Sequence, residues 1–418
     1  MTDGGSTSRS VFSTAAATAG WGLFCSSSWT WCIGMYLPVI LLRNWGWPGF
    51  WVFAIFNVVG CAGFGYLCTR RRSAELCERH AGAMTLFSVV TVAYQVFFVA
   101  FLASWVAQLG ASDQSMGQPG AGPTTVPITW LVAFAAVVLG SLLSLAPDRA
   151  WPWLGAAATG VSYATWMALA PRVTAEHLAQ ASGFGTEGGL SLLFAAPIIA
   201  LGFLLCPWLD RTFHRARQLA PSVHGFGVFG VTFFPIITMT AIYGTRGELD
   251  PTAPILAHLG TQLLFTIAVH VREIRLAPTP TAPRARRATL LVALLGGLLV
   301  AEASGFLGLS FETGYLLFLG CYGLLFPAYA LLFMPGERAA RWGLRAWPLS
   351  PKALGLFCLL ILTLAPLCAI GFIALETWTL PIAFVAVLLA AFGGRLLVGP
   401  SDEARSGEFV DASPLNRR

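Results

Sequence analysis

The chain has 418 residues, of which 56% are hydrophobic and 11% charged, and its mean hydropathy is +0.71. A water-soluble domain carries about 25% charged residues, so this chain cannot cover a wet surface of its own size. The apolar residues also run in long blocks, which points to hydrocarbon as the solvent and excludes a soluble enzyme, a nucleic-acid binder and a secreted disulfide scaffold. The formal charge of +6 sits in the connections between the blocks. That distribution fits membrane orientation rather than an acidic partner.

Crossing a bilayer as a helix takes about 20 apolar residues. Twelve blocks qualify in chain order, at 16–42, 47–69, 82–110, 126–146, 151–170, 188–209, 223–243, 254–272, 288–307, 312–334, 353–375 and 378–398. With the N-terminus inside, every lysine and arginine except Arg43, Arg172 and Arg246 falls on the cytoplasmic face, as the positive-inside rule requires. The expected architecture is therefore an all-α polytopic protein of the cell (inner) membrane, with twelve transmembrane helices and both termini cytoplasmic. A short cytoplasmic segment (1–15) would precede the first unit. Connections 110–125 and 171–187 read as outer loops, 277–287 as a Pro-rich cytoplasmic linker, and 399–418 as a disordered cytoplasmic tail. The opening MTDGGSTSRSVF does not read as a cleaved leader. The nine cysteines form no CxxC and lie mostly in apolar segments, where cysteine acts as a small hydrophobe.

Polarity inside the blocks carries the functional information. In the first block, Ser26, Ser27, Ser28 and Thr30 flank Trp29, with Trp31, Gly34 and Pro38 following. Hydroxyl side chains compete for backbone hydrogen bonds and proline removes a donor, so a continuous helix is poor here. Secondary transporters use such interruptions, because freed carbonyls and helix ends near the midplane bind ions and solutes. Pro197, after Leu193, Phe194 and Ala196, marks a second candidate interruption in block six. Blocks one to five (16–170) and six to ten (188–334) form two units of similar length, each with an odd number of spans. The second is then inverted relative to the first, and each opens on a broken helix. The last two blocks (353–398) are left as peripheral helices.

Further polar positions are Asn57 in block two, Tyr94 and Gln95 in block three, and His258, Thr261 and Gln262 in block eight, with Thr266 one turn deeper. His258 and Gln262 lie four apart and share a helix face. Glu302 is the acidic residue inside an apolar run of block nine. No GxxxxGK[ST] phosphate loop is present. The histidines form no catalytic or metal-ligand spacing, so the chain is not read as an enzyme.

Cys206-Pro207-Trp208-Leu209-Asp210-Arg211-Thr212-Phe213-His214-Arg215-Ala216-Arg217-Gln218 resembles the end of the sixth core helix in nucleobase–cation symporters and its counterpart in sodium:solute symporters. Trp31–Pro38, Gly46-Trp47 and Phe56–Gly60 look like the first and second helices of those families. The resemblance implies a LeuT-type fold of the amino acid–polyamine–cation superfamily, a 5+5 inverted repeat plus two peripheral helices. It also implies a solute held between helices 1, 3, 6 and 8. On that reading Ser26, Ser27, Ser28, Trp29, Trp31, Tyr94, Gln95, Phe194, His258 and Gln262 bind the solute. Thr261 becomes the helix 8 hydroxyl for a coupling sodium ion, although Gly260 departs from the usual hydroxyl pair. Asp210 and Arg211 become cytoplasmic structural or gating residues. The expected function is cation-coupled symport of a small polar organic solute across the lipid bilayer, with no other cofactor and no nucleic-acid partner. A transporter-fold sensor or assembly subunit that binds without transport is the alternative.

Overall fold

The computed structural model describes residues 4–112, 125–172, a few positions between 174 and 183, 185–244, 253–277 and 283–393. The tail 399–418, Arg246 and most of the loop 110–125 lie outside the described residues. The described chain is helical: α1 Gly4–Trp29, α2 Cys32–Leu67, α3 Arg70–Arg79, α4 Ala81–Ser112, α5 Thr125–Leu143, α6 Trp151–Leu169, α7 Gly188–Leu205 and α8 Arg211–Leu219. These are followed by α9 Gly225–Gly244, α10 Ala253–Arg275, α11 Pro283–Phe306, α12 Phe311–Gly320, α13 Phe326–Phe333, α14 Glu337–Ala340, α15 Pro351–Ile373 and α16 Thr379–Gly393. A π-helical turn, Cys321–Leu325, joins α12 to α13.

Among the described residues, the apolar blocks fall mostly in helix, block one being split at Thr30 and Trp31. Among the described residues, six single helices or helix runs are long and apolar enough to cross a membrane: Cys32–Leu67, Ala81–Ala103, Gly188–Trp208, Ala253–Arg275, Phe311–Phe333 and Pro351–Ile373. The helices of blocks four and five turn by 109° at the break between them. The polar N-terminal segment is helical from Gly4.

The first expected interruption is present. Helix α1 stops at Trp29 and α2 starts at Cys32, with Trp31 extended at φ −75°, ψ 178°. Blocks one and two are then separated by Gly46 alone, whose φ of 61° and ψ of −158° kink the helical run. That left-handed backbone is open to glycine and strained for other residues. The second expected interruption, at Pro197, is absent. Helix α7 runs unbroken through Pro197 and ends in a 3-10 turn, Cys206–Trp208, before the chain restarts as α8 after Asp210. In a helix, proline costs one backbone hydrogen bond that neighbours can make good. At 206–210 the proline at Pro207 is joined by Asp210, which accepts from the Thr212 amide at 2.8 Å and caps the new helix.

Packing follows small residues. Helix α1 is held between α6, α9 and α10, while α2 packs on α7 and α9, and α4 on α5, α10 and α11. Gly155 of α6 lets the Phe24 backbone approach so closely that a Cβ there would lie 2.4 Å from the Phe24 Cα. In lipid, where apolar burial gives no drive between helices, such close backbone contact supplies the association energy.

Candidate functional site

The two interruptions meet. The Thr212 hydroxyl donates to Ser28 Oγ at 3.4 Å, and the Trp29 and Phe213 rings lie 4.9 Å apart. At the first interruption the hydroxyls close on the local backbone. Thr30 donates through both N–H (3.1 Å) and Oγ1 (2.7 Å) to the Ser26 carbonyl, and Ser28 donates to the Cys25 carbonyl at 3.2 Å. The Trp31 indole N–H donates to the Ser28 carbonyl, and the Trp29 indole donates to Asn57 Oδ1 at 2.5 Å. Both rings are thereby fixed, with centroids 4.6 Å apart.

Beside these tryptophans lies a cavity of about 250 Å³. Its walls come from the start of α2 (Ile33, Gly34, Leu37), from α7 (Ile198, Gly202, Phe203), from the π-helical turn (Cys321, Tyr322) and from α15 (Ile361, Cys368, Phe372). The wall is predominantly apolar. The indole N–H groups of Trp29 and Trp31 are engaged as above, and the Tyr322 hydroxyl is paired with Thr91 Oγ1 at 2.8 Å. A π-helical turn in such a wall is a common companion of function. Here it leaves the Tyr322 carbonyl free to accept the Cys206 thiol at 3.2 Å.

Ion pairs stand at both ends of the bundle. At one end Arg43 grips Glu312 through two bonds of 2.8 and 2.5 Å, joining α2 to α12 near the cavity residues Asn44 and Trp45. At the other, Glu273 takes two bonds from Arg215, at 2.5 and 2.8 Å, and one from Arg272 at 3.2 Å. Arg272 also pairs with Asp148 and covers the Trp151 ring. Arg211 reaches the carbonyls of Glu273, Cys77 and Ala81, so α8 is pinned to α3, α4 and α10.

Titration in this basic end follows burial. Asp210 is wholly buried with Oδ2 unpartnered, and burial pushes its carboxyl up to about 7. His214 donates from Nε2 to the Trp208 carbonyl at 2.9 Å, so its Nδ1 accepts from Ser73 Oγ, also at 2.9 Å. Burial lowers that imidazole to about 4.

The expected site residues are dispersed. Trp29 and Trp31 line the cavity. Ser26 and Ser27 turn away from it and tie helices together, Ser26 to Thr232 Oγ1 at 2.7 Å and Ser27 to Thr159 Oγ1 at 2.9 Å. Tyr94 donates to the Tyr315 carbonyl and stacks on Tyr322 behind the cavity wall. Phe194 is partly exposed on α7 and outside the lining. His258 and Gln262 are wholly buried against α6, where both contact Ser162 Oγ, at 2.9 and 2.8 Å. Gln95 is wholly buried with both amide atoms unpartnered. Thr261 is partly exposed, and the buried hydroxyl of this helix is Thr266. Glu302 accepts the Trp130 indole at 2.9 Å. Asn57 and Tyr322 line the cavity as well, and the His270 ring stands 5.4 Å from that of Trp31. Continuing the four-residue spacing from Gln262 through Thr266 reaches His270, whereas nothing local in the sequence brings Tyr322 to Trp31.

No protein-family model and no curated protein matches the chain. Among solved structures it is similar to a Na+-coupled sialic acid symporter in a substrate-bound outward-open state. The match has 14% identity over 91% of this chain and 90% of that one, with a TM-score of 0.39. A likeness that slight says nothing of this chain's substrate or ion.

Proposed function

We propose that the protein is a secondary transporter of the inner membrane. It would move a small organic solute, coupled to a cation, by alternating access around the paired interruptions. The proposal includes twelve spans, two five-helix units of opposite orientation and cytoplasmic termini. The observation that carries it is the meeting of two chain breaks beside an apolar cavity, with ion pairs at opposite ends. Opening Arg43–Glu312 would expose the cavity to one face, and opening the Glu273 cluster would expose it to the other. Breaks at the junction let each helix half move with its own end.

The cavity chemistry amends the solute class. The Trp29 and Trp31 indoles and the Tyr322 hydroxyl are already engaged, so a strongly polar guest would regain little of its lost hydration. The solute we propose has an apolar or ring-shaped body that packs against Trp29, Trp31 and Tyr322. Its polar end meets whichever carbonyls the interruption frees when the helix halves part.

The test is the melting temperature of the purified protein against ring carboxylates, nucleobases, aromatic amino acids and polyols, each with and without sodium and at two pH values. A guest that binds the folded state alone raises the melting temperature by mass action. The reading expects ring-bearing solutes to raise it and polyols to leave it unchanged. A shift from polyols alone would reverse the solute assignment.

A further inference from the structure

Helix α10 carries four polar side chains at four-residue spacing: His258, Gln262, Thr266 and His270. All four are wholly buried. Each keeps one polar atom without a hydrogen-bond partner: His258 Nε2, Gln262 Oε1, Thr266 Oγ1 and His270 Nε2. On α4, which packs against α10, Gln95 also has both amide atoms unpartnered. Buried polar atoms are nearly always paired, so a run of four orphans on successive turns of one helix is not packing noise.

Geometry turns the run into a path. At about 1.5 Å per residue the four positions cover roughly 18 Å of helix, more than half of a bilayer's hydrocarbon thickness of about 30 Å. Four residues exceed a 3.6-residue turn by roughly 40°, so the stripe winds through about 120° between its ends. The partners follow that winding. His258 Nδ1 faces Ser162 of α6 at 2.9 Å, and His270 Nδ1 faces Ser88 of α4 at 3.2 Å. At its far end the His270 ring stands 5.4 Å from the Trp31 ring. Trp31 walls the cavity on its other side.

We propose that this seam holds a file of ordered water and carries the coupling cation, as a proton, to the helix interruption. This rests on the transporter reading above and names the ion of that site. Buried water sits where two or more polar atoms lack partners, and the seam offers one at each turn, so each water would bridge successive turns. Two of the free atoms are imidazole nitrogens, which take up protons readily and are less suited than oxygen to a hard cation. A proton taken at His270 Nε2 leaves an imidazolium whose Nδ1–H donates to Ser88 Oγ. Nothing is oxidised or reduced, and the ring returns to neutral when the proton passes on. The groups facing His270 are Ser88 and Phe87 from α4 and Trp31 from the start of α2, with Arg272 and Glu273 following on α10 itself. An imidazolium against the Trp31 indole is attracted to its ring. Proton occupancy is thereby linked to the side chain that walls the solute cavity.

The experiment is water-edited solid-state NMR on the full-length protein in bilayers with isotope-labelled histidine, with signals assigned through His258→Gln and His270→Gln. Two internal standards are present: His224 is exposed, and His214 is buried with both ring nitrogens paired. His258 and His270 are expected to gain water magnetisation several-fold faster than His214, approaching His224. His270 is expected to acquire its second N–H as the pH is lowered from 8 to 5. Thr266→Val, which removes the middle of the file, slows the gain at His270. Thr261→Val, one helix face away, does not. Build-up at the His214 rate for both seam histidines overturns the water file. A hydrated His270 that stays neutral down to pH 5 overturns the proton assignment. Neither readout uses a solute. A dry seam in a protein that concentrates solute refutes this inference alone, and a wet seam in one that moves nothing refutes only the transporter reading.

Discussion

Replacing Glu273 by Gln should open the basic end of the bundle. Glu273 is 3% exposed and accepts from Arg215 twice and from Arg272 once, while its carbonyl takes Arg211. Glutamine keeps the size but removes the charge, leaving Arg215 without its carboxylate partner and Arg272 with Asp148 alone. Breaking a buried pair from one side costs about 3 kcal/mol or more, which shifts an open–closed equilibrium by roughly 150-fold at 1.4 kcal/mol per decade. Cys77 reports the opening. Its carbonyl is held by Arg211, its thiol contacts Gln218, and burial pushes that thiol up to about 11. When opening is fast relative to modification, labelling tracks the open population. Cys77 is already partly exposed with this end shut, so its maleimide labelling, read by peptide mass spectrometry, should accelerate by at most about two orders of magnitude. The wholly buried Cys61 is the internal standard for global unfolding. Unchanged Cys77 labelling, with Cys61 protected in both proteins, would refute the claim that Glu273 holds this end shut.

Three further outcomes are expected. Asp210 binds a proton more tightly folded than unfolded, since its carboxyl is raised to about 7. Its contribution therefore weakens stability progressively as pH rises from about 4 to 7 and levels off above that. Asp210→Asn, which keeps a capping oxygen, should raise the melting temperature at pH 8 and barely change it near pH 4; an equal gain at both would contradict the assignment. Asn57→Ala strips the acceptor from the buried Trp29 indole and should cost about 1–3 kcal/mol, read as a lowered melting temperature that Asn57→Asp or Asn57→Gln partly restores. Gly155→Val drives a side chain into the Phe24 backbone and should abolish monodisperse protein in detergent, whereas Gly160→Val, where a Cβ meets nothing within 4 Å, should purify normally.

Helix positions and the first interruption were legible because both depend on local chemistry. Apolar run length marks each helix, and Ser26–Thr30 with Trp31 and Pro38 carry the side chains that undo a helix locally. The second interruption was misplaced at Pro197 because a lone proline is tolerated when neighbouring helices satisfy the freed carbonyl. The break goes where Pro207 and the capping Asp210 act together. Site residues were harder to read. A serine that lines a cavity and one that bonds a neighbouring helix look identical in sequence, and Ser26 and Ser27 took the second role. The apolar character of the cavity was hidden as well, since it arises from α7, the π-helical turn and α15 converging on Trp31 over more than 300 residues of separation. His258 and Gln262 were visible as a pair on one face, yet their meaning depends on Thr266, His270 and the unpaired atoms that only packing reveals.

The central claim is alternating access driven by a cation gradient, and uptake into proteoliposomes tests it most directly. Ring-bearing solutes that raise the melting temperature would be offered under an inward proton gradient, an inward sodium gradient or neither, to the wild type and to Trp31→Ala. The account predicts that one solute is concentrated inside under the proton gradient, and that Trp31→Ala abolishes this while still inserting into the bilayer. If solutes bind and raise the melting temperature but no gradient concentrates them, the protein is a sensor rather than a carrier.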